Sequence, residues 1–113
     1  MRILFVENHA VFAEQVCQKF LSKYLVRVVP SLAAARQQLR DSQFDLVLTD
    51  FDLDDGKGDQ LVKEIKARFP ELKVIAVSSH DQGNNALKRV GADAVCGKME
   101  FNRIGETIES LFL

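Results

Sequence analysis

The stretch FDLVLTD, residues 44–50, decides the fold class, because an apolar run in it ends directly at an acid. Its aliphatic residues are continuous rather than spaced as on one face of a helix, and a loop rich in Asp and Gly follows at Asp52–Gly58. A short continuous apolar run bounded by turn residues is typical of a strand that is covered on both faces, as in a parallel sheet. We therefore predict that residues 44–49 form the central strand of such a sheet, with Asp50 directly after it.

Alternating strand and helix patterns extend from this segment towards both ends of the chain. The predicted strands are residues 2–6, 25–29, 44–49, 72–77 and 94–97. Each pair of successive strands is separated by a segment long enough for a helix, which is the pattern of right-handed βαβ crossovers. The chain is therefore predicted to be one α/β domain over residues 1–113, with a parallel sheet and helices on both faces.

Apolar residues at helical spacing predict the helices. The first spans about His9–Tyr24, and the second begins after an N-cap at Ser31 and continues to about Arg40. In the third helix Leu61, Val62, Ile65 and Phe69 are predicted to face inward, and Pro70 ends it. A fourth helix is predicted although Gly83-Asn84-Asn85 are poor helix formers, and Ser79–Asn85 is expected to be the most mobile part of the sheet edge. A last helix places Phe101, Ile104, Ile108 and Leu111 on one side.

Bulk composition excludes several classes of protein. With 113 residues, 47% apolar and 27% charged, the chain can build an ordinary globular core without metal or disulfide support. Its formal net charge of -1 argues against binding nucleic acid through basicity. No apolar run approaches the roughly 18 residues of a membrane span, so a cytoplasmic protein without membrane contact is expected. Cys17 and Cys96 are expected to be reduced core residues.

Reactive side chains follow four of the five predicted strands. Glu7 and Asn8 follow the first strand, Asp50 the third, Ser78 the fourth and Lys98 the fifth. Ligands of open α/β sheets bind outside the carboxyl ends of the strands, so these side chains should meet at one edge. A carboxylate can attack phosphorus to give an aspartyl phosphate, and a lysine and a hydroxyl can stabilise phosphoryl oxygens. Clustered acids also need a hard cation between them, and Mg²⁺ prefers such oxygen ligands.

Four segments of the sequence resemble the signature segments of response-regulator receiver domains, in the same order and over nearly the whole chain: 6–9, 45–50, 77–81 and 91–98. The resemblance implies a flavodoxin-like, doubly wound sheet of strand order 2-1-3-4-5. It implies that Asp50 takes a phosphoryl group from a sensor histidine kinase or phosphotransfer protein, and that the domain then switches binding of a downstream target or output domain. Such a domain is not an enzyme in the usual sense, because it catalyses only its own phosphorylation and dephosphorylation.

The same resemblance assigns roles to individual residues. Glu7, Asn8 and Asp50 would serve Mg²⁺, with the backbone carbonyl of Asp52 as a further ligand. Ser78 would move towards the phosphoryl group, and Lys98 would pair with it.

Several positions depart from the family pattern. Asn8 stands where family members carry a second acid, Asp54 where they carry proline four residues past the phosphoacceptor, and Val95 where an aromatic residue is common. Met99 replaces the proline that usually follows the lysine. Because a cis peptide before a non-proline residue costs ~2.5–4 kcal/mol, a trans Lys98–Met99 bond is expected. The departure at Asn8 predicts weaker Mg²⁺ binding, unless Asn8 is only a helix cap.

Two alternative functions stay open at this point. A degenerate receiver would bind a partner without being phosphorylated, and the departures at Asn8 and Val95 favour it. A phosphohydrolase similar to the haloacid dehalogenases would use Asp50 and Asp52 as nucleophile and acid. That family places the Asp pair after its first strand, however, whereas here it follows the third.

Overall fold

The structure is a computed structural model that describes all 113 residues. A five-stranded parallel sheet has the order β2-β1-β3-β4-β5. Its strands are β1 (Arg2–Val6), β2 (Leu25–Val29), β3 (Leu46–Thr49), β4 (Lys73–Ala76) and β5 (Ala94–Val95). This confirms the predicted α/β fold, its strand order and the central position of β3.

Five α-helices connect and follow the strands: α1 (Ala10–Phe20), α2 (Leu32–Asp41), α3 (Gly58–Arg68), α4 (Asp81–Arg89) and α5 (Ile104–Phe112). A 3₁₀ segment, Lys98–Arg103, precedes α5. Ser31 caps α2 as predicted, because its hydroxyl accepts a hydrogen bond from the Ala34 amide at 3.1 Å.

Each face of the sheet has its own hydrophobic core. Alternate β1 residues point to opposite faces, so Leu4 and Val6 join the core under α2, α3 and α4, while Ile3 and Phe5 join the core under α1 and α5. Phe101, from the 3₁₀ segment, stacks on Phe5 with ring centroids 5.9 Å apart. Burial of β1 and β3 on both faces is the physical reason that their sequences are continuously apolar.

Some predicted boundaries and burial assignments are wrong. The first helix ends at Phe20, where Leu21 is the C-cap, and Tyr24 lies outside it. Phe69 is the C-cap of α3 and is 40% exposed, so it does not face inward as predicted. After α1, Leu21 and Tyr24 still pack against the core under α1 and α5, so the apolar spacing continues past the end of the helix. Periodicity alone does not mark where a helix ends.

The fourth helix is complete despite its poor helix formers. Asp81–Arg89 is helical throughout, with Gly83, Asn84 and Leu87 buried. The segment Ser79–Asn85 lacks apolar anchors, as expected, but a polar side chain, Asn84, holds it against Ser78. The mobility expected for this segment stays a prediction. Tertiary contact overrides weak helix propensity here.

No helix in the chain is both long and apolar enough to cross a membrane.

Candidate functional site

The register of the parallel strands brings the predicted site residues to one edge of the sheet. Val6 pairs with Thr49, Thr49 with Ala76, and Ala76 with Val95, so the four strands end at the same level. The ladder continues one step further, since the Asp50 amide donates to the Val6 carbonyl at 3.0 Å. Side chains just beyond the strands therefore converge, as the sequence analysis predicted.

Lys98 joins two of these side chains. Its ammonium Nζ lies 3.0 Å from Glu7 Oε2 and 3.0 Å from Asp50 Oδ2. Asp50 Oδ1 accepts a hydrogen bond from the Phe51 amide at 2.7 Å, and Glu7 Oε2 accepts another from the His9 amide at 3.1 Å. The two backbone amides hold the carboxylates in place, and the Lys98 ammonium is a single positive charge between them.

Burial makes this ion cluster unusual. The side chains of Glu7, Asp50 and Lys98 are only 0%, 9% and 14% exposed. Burial, together with the nearby Asp50 charge, raises the pKa of Glu7 above its usual value, although Lys98 acts in the opposite direction. For Lys98, burial alone would lower the pKa, but its hydrogen bonds to the two carboxylates raise it. The lysine is therefore a fixed cation at neutral pH.

Ser78 completes the group at the sheet edge. It is 3% exposed and its hydroxyl accepts a hydrogen bond from the His80 amide at 3.3 Å. The Lys98 amide donates to the Ser78 carbonyl at 3.2 Å, which joins the chain after β5 to the chain after β4. The predicted residues Asp50, Ser78 and Lys98 thus follow three neighbouring strands.

The remaining predicted residues, Asn8 and Asp52, are exposed. Asn8 is not a helix cap, because the N-cap of α1 is His9, without a side-chain cap bond. The Asp52 carboxylate forms an ion pair with Lys57, and both side chains are more than half exposed. The Asp52 side chain therefore points away from the ion cluster, and the predicted role of its backbone carbonyl as a metal ligand stays a prediction.

The loop after Asp50 is more ordered than its Asp-rich and Gly-rich sequence suggested. Residues 52–53 and 56–57 pair as a small antiparallel hairpin. Asp55 attaches this hairpin to α2, because its carboxylate accepts hydrogen bonds from the Leu32 and Ala33 amides at 2.7 and 3.0 Å. These backbone bonds lower the pKa of Asp55 below its usual value.

Gly58 is a site residue that the sequence analysis missed. It begins α3, and a Cβ built there would lie 2.1 Å from the Asp50 carbonyl oxygen. Only glycine allows this approach, which holds the backbone of Asp50 against the first turn of α3. A glycine directly before a helical apolar pattern, eight positions after the strand-end acid, was the available signal.

The residues present fit a hard cation that keeps several waters. Glu7 Oε1 is buried and has no hydrogen-bond partner, so one oxygen of this side chain is available for a cation. No three His, Cys, Asp or Glu side chains come close enough together to enclose a metal ion by themselves. Two carboxylates with carbonyl and water oxygens are a donor set of the kind that Mg²⁺ accepts.

Comparison with known proteins agrees with this geometry. The family model for the response regulator receiver domain matches residues 3–102. This chain belongs to the response regulator receiver domain family. Among curated proteins, the transcriptional regulatory protein ZraR of Salmonella typhimurium is 35% identical over 89 residues, which are 76% of this chain and 20% of ZraR. The chain thus spans about a fifth of the length of that relative.

Solved structures show the same receiver fold. The non-phosphorylated HemR receiver domain of Leptospira biflexa is 27% identical, with a TM-score of 0.72 over 83% of this chain and 78% of that one. Response regulator TrrA of Thermotoga maritima, solved in complex with Mg²⁺-BeF, is 20% identical, with a TM-score of 0.87 over 97% of both chains. Receiver domains are signalling domains of two-component systems, so the family places this chain in that class.

Two further expectations concern residues beside the site. The Lys98–Met99 peptide is trans, since the chain contains no cis peptide bond, which confirms the prediction.

Cys96 is buried, Cys17 is partly buried, and both are unpaired thiols packed with the core under α1 and α5. Burial raises the pKa of both thiols, which disfavours the reactive thiolate form.

Proposed function

We propose that this receiver domain accepts a phosphoryl group on Asp50 from the phosphohistidine of a sensor histidine kinase or phosphotransfer protein. The observation that carries the proposal is the ion cluster: Lys98 lies 3.0 Å from both Asp50 and Glu7, at an edge where Ser78 also lies. A buried carboxylate with a permanent cation and a hydroxyl near it has the parts that acyl phosphate formation needs.

Asp50 is the nucleophile in this proposal. A carboxylate oxygen of Asp50 forms a bond to phosphorus while the phosphorus–nitrogen bond of the donor breaks, and the imidazole leaves with the electron pair and takes up a proton. The hydrogen bond from the Phe51 amide to Oδ1 orients the carboxylate, and Gly58 holds its backbone. Asp50 needs no general base, because the attacking atom is a carboxylate oxygen and not a hydroxyl.

Lys98 and Ser78 stabilise the product. The Lys98 ammonium already contacts Asp50, so a short movement lets it pair with a phosphoryl oxygen. The Ser78 hydroxyl, which now accepts from the His80 amide, would turn to donate to another phosphoryl oxygen. This rotation gives the domain a local change by which phosphorylation alters binding of a downstream target.

Mg²⁺ is the cofactor that this site would hold. Glu7 and Asp50 would bind it with the Asp52 carbonyl, and Asn8 would orient one of its waters or donate its amide oxygen. When bound, the ion neutralises the charge that the carboxylates and the phosphoryl oxygens bring together. The unpartnered Glu7 Oε1 supports this assignment, and the exposed position of Asn8 supports a weaker contribution from that residue.

The test is labelling by a small phosphodonor with Mg²⁺, followed by intact mass. Wild type should gain one phosphoryl mass that is stable in acid and lost in base, and Asp50→Asn should gain none. Asp54→Asn, which changes an exposed acid in the same loop, is the matched control and should label as wild type does. Undiminished labelling of Asp50→Asn would end the proposal.

One observation favours a second candidate, a degenerate receiver that binds partners without phosphorylation. Lys98 already bridges Glu7 and Asp50, and Asn8 adds no third negative charge. The net charge of the cluster is therefore closer to zero than it would be with a further acid. Binding of beryllofluoride with Mg²⁺ separates the two candidates, because only a working phosphoryl site retains this mimic. The phosphohydrolase alternative gains no support, since the Asp52 carboxylate pairs with Lys57.

A further inference from the structure

The first turn of α4 lies against Ser78, and one buried side chain joins them. Asn84 is 7% exposed. Its Oδ1 accepts a hydrogen bond from the Ser78 amide at 2.9 Å, and its Nδ2 donates to the Ser78 carbonyl at 3.0 Å. One side chain thus satisfies both backbone polar groups of Ser78, as a neighbouring strand would do, and fixes the main chain just beyond β4.

Gly83 brings the backbone of α4 equally close to the Ser78 side chain. A Cβ built on Gly83 would lie 2.6 Å from Ser78 Oγ and 3.0 Å from Phe51 Cβ. Any larger residue would displace the hydroxyl or the residue that follows Asp50. The space in which the hydroxyl now lies therefore exists because position 83 has no side chain.

Both residues are poor choices for a helix interior, and neither fills the core as an apolar residue would. Burying an amide requires that its hydrogen bonds be satisfied, and both bonds of Asn84 go to the same site residue. Asn84 also lines an open groove of about 580 Å³ between α4 and α5. Gly83 and Asn84, two poor helix formers, therefore stand where α4 contacts the candidate site.

We propose that Asn84 and Gly83 are positioning residues for Ser78, so that the first turn of α4 forms part of the phosphoryl site. Asn84 holds the Ser78 main chain, and Gly83 leaves room for its hydroxyl. This inference rests on the proposed role of Asp50 as the phosphoacceptor.

Asn84→Asp tests the hydrogen bonds with almost no change of shape. The new carboxylate keeps an acceptor for the Ser78 amide but turns a second oxygen towards the Ser78 carbonyl. Asp81, Glu100 and Glu106 line the same groove and disfavour a negative charge at position 84, Arg103 favours one, and burial disfavours it. The protonated form can donate as the amide does, so acid conditions should restore the bond.

The rate of Asp50 labelling at saturating Mg²⁺ is measured by intact mass. At about pH 8, Asn84→Asp should label about tenfold more slowly than wild type. At about pH 5.5 the two should agree within about twofold, as the carboxyl becomes protonated. Asn85→Asp is the control, since it adds the same charge to an exposed neighbouring position, and it should follow wild type at both pH values.

Gly83→Ala is a second, independent variant that does not depend on a buried charge. Its methyl group should displace the Ser78 hydroxyl and slow labelling about tenfold. Gly105→Ala is its control, because a Cβ there meets nothing within 4 Å. Mg²⁺ affinity, measured by NMR titration, should be unchanged in all four variants, since none of them contacts Glu7 or Asp50.

Far-UV circular dichroism confirms that each variant is folded before rates are compared. If Asn84→Asp does not fold at pH 8, Gly83→Ala still decides the question. Labelling of both folded variants at the wild-type rate would overturn this inference alone. Absence of labelling in wild type would overturn the proposed function, and this inference with it.

Discussion

Replacing Lys98 with methionine removes the only cation from the buried cluster while keeping the length of the side chain. Wild-type Lys98 bonds to Glu7 and Asp50 at 3.0 Å each, and its ammonium also lies 5.0 Å from the Phe12 ring centroid. In Lys98→Met the two carboxylates face each other without a counter-charge, and Glu7 is only 1% exposed. We expect a large loss of stability at neutral pH in the absence of metal.

The size of the loss follows from the burial of the cluster. Breaking a buried ion pair by removing one partner costs about 3–5 kcal/mol, because the remaining charge stays buried without a partner. Lys98 is at the edge of the cluster with a 14% exposed side chain, so water can reach the gap and the lower end applies. A loss of about 3 kcal/mol in a domain of this size corresponds to a fall of roughly 10–20 °C in Tm.

The loss should depend on pH with a definite sign. The pKa of Glu7 is raised in the folded protein, and removing the lysine raises it further. Between the usual value of 4.5 and this raised pKa, the folded state binds more protons than the unfolded state, so stability increases as pH falls. The deficit of Lys98→Met should therefore be greatest near about pH 8 and smaller near about pH 5.

Urea unfolding followed by far-UV circular dichroism, with EDTA present, measures the deficit at each pH. Lys57→Met is the matched control, because Lys57 pairs with Asp52 at the surface and such pairs contribute roughly 0–1 kcal/mol. Adding Glu7→Gln to Lys98→Met removes one buried charge and should recover part of the lost stability. A deficit under about 1 kcal/mol at pH 8 would refute the reasoning, since it would mean that the carboxylates are well hydrated.

Two further predictions concern the metal and the loop after Asp50. Asn8→Asp adds a third acid and should lower the Kd for Mg²⁺ about tenfold, since a unit charge at a partly hydrated site contributes on the order of 1–2 kcal/mol. An unchanged Kd in an NMR titration would show that position 8 does not face the ion. Asp55→Ala should detach the hairpin from α2 and lower the free energy of unfolding at pH 7, whereas Asp54→Ala should not. Because the pKa of Asp55 is lowered in the folded state, the difference between wild type and Asp55→Ala should disappear as pH falls through that lowered pKa; a difference that is constant with pH would contradict this.

The sequence alone determined the layout of this receiver domain. A strand covered on both faces must be continuously apolar, so residues 44–49 identified the central strand, and the alternation with helical spacing identified the parallel sheet. Carboxyl ends of parallel strands share one edge, and this topology is enough to predict that Glu7, Asp50 and Lys98 lie together, as they do. These predictions succeeded because they depend on periodicity and topology, which are repeated over many residues.

Only the tertiary structure decided how individual side chains pair across that edge. Asn84 was predicted to weaken a helix, but it anchors α4 by binding the main chain of Ser78. Asp55 is one of several acids in a loop, yet it accepts a hydrogen bond from the amide of Leu32 in α2, 23 positions earlier in the sequence. Such contacts depend on the distance between two elements to within an ångström, and they leave no periodic signal in the sequence. The sequence thus specifies which groups reach the edge of the sheet, while packing of the helices against it decides which hydrogen bonds they make.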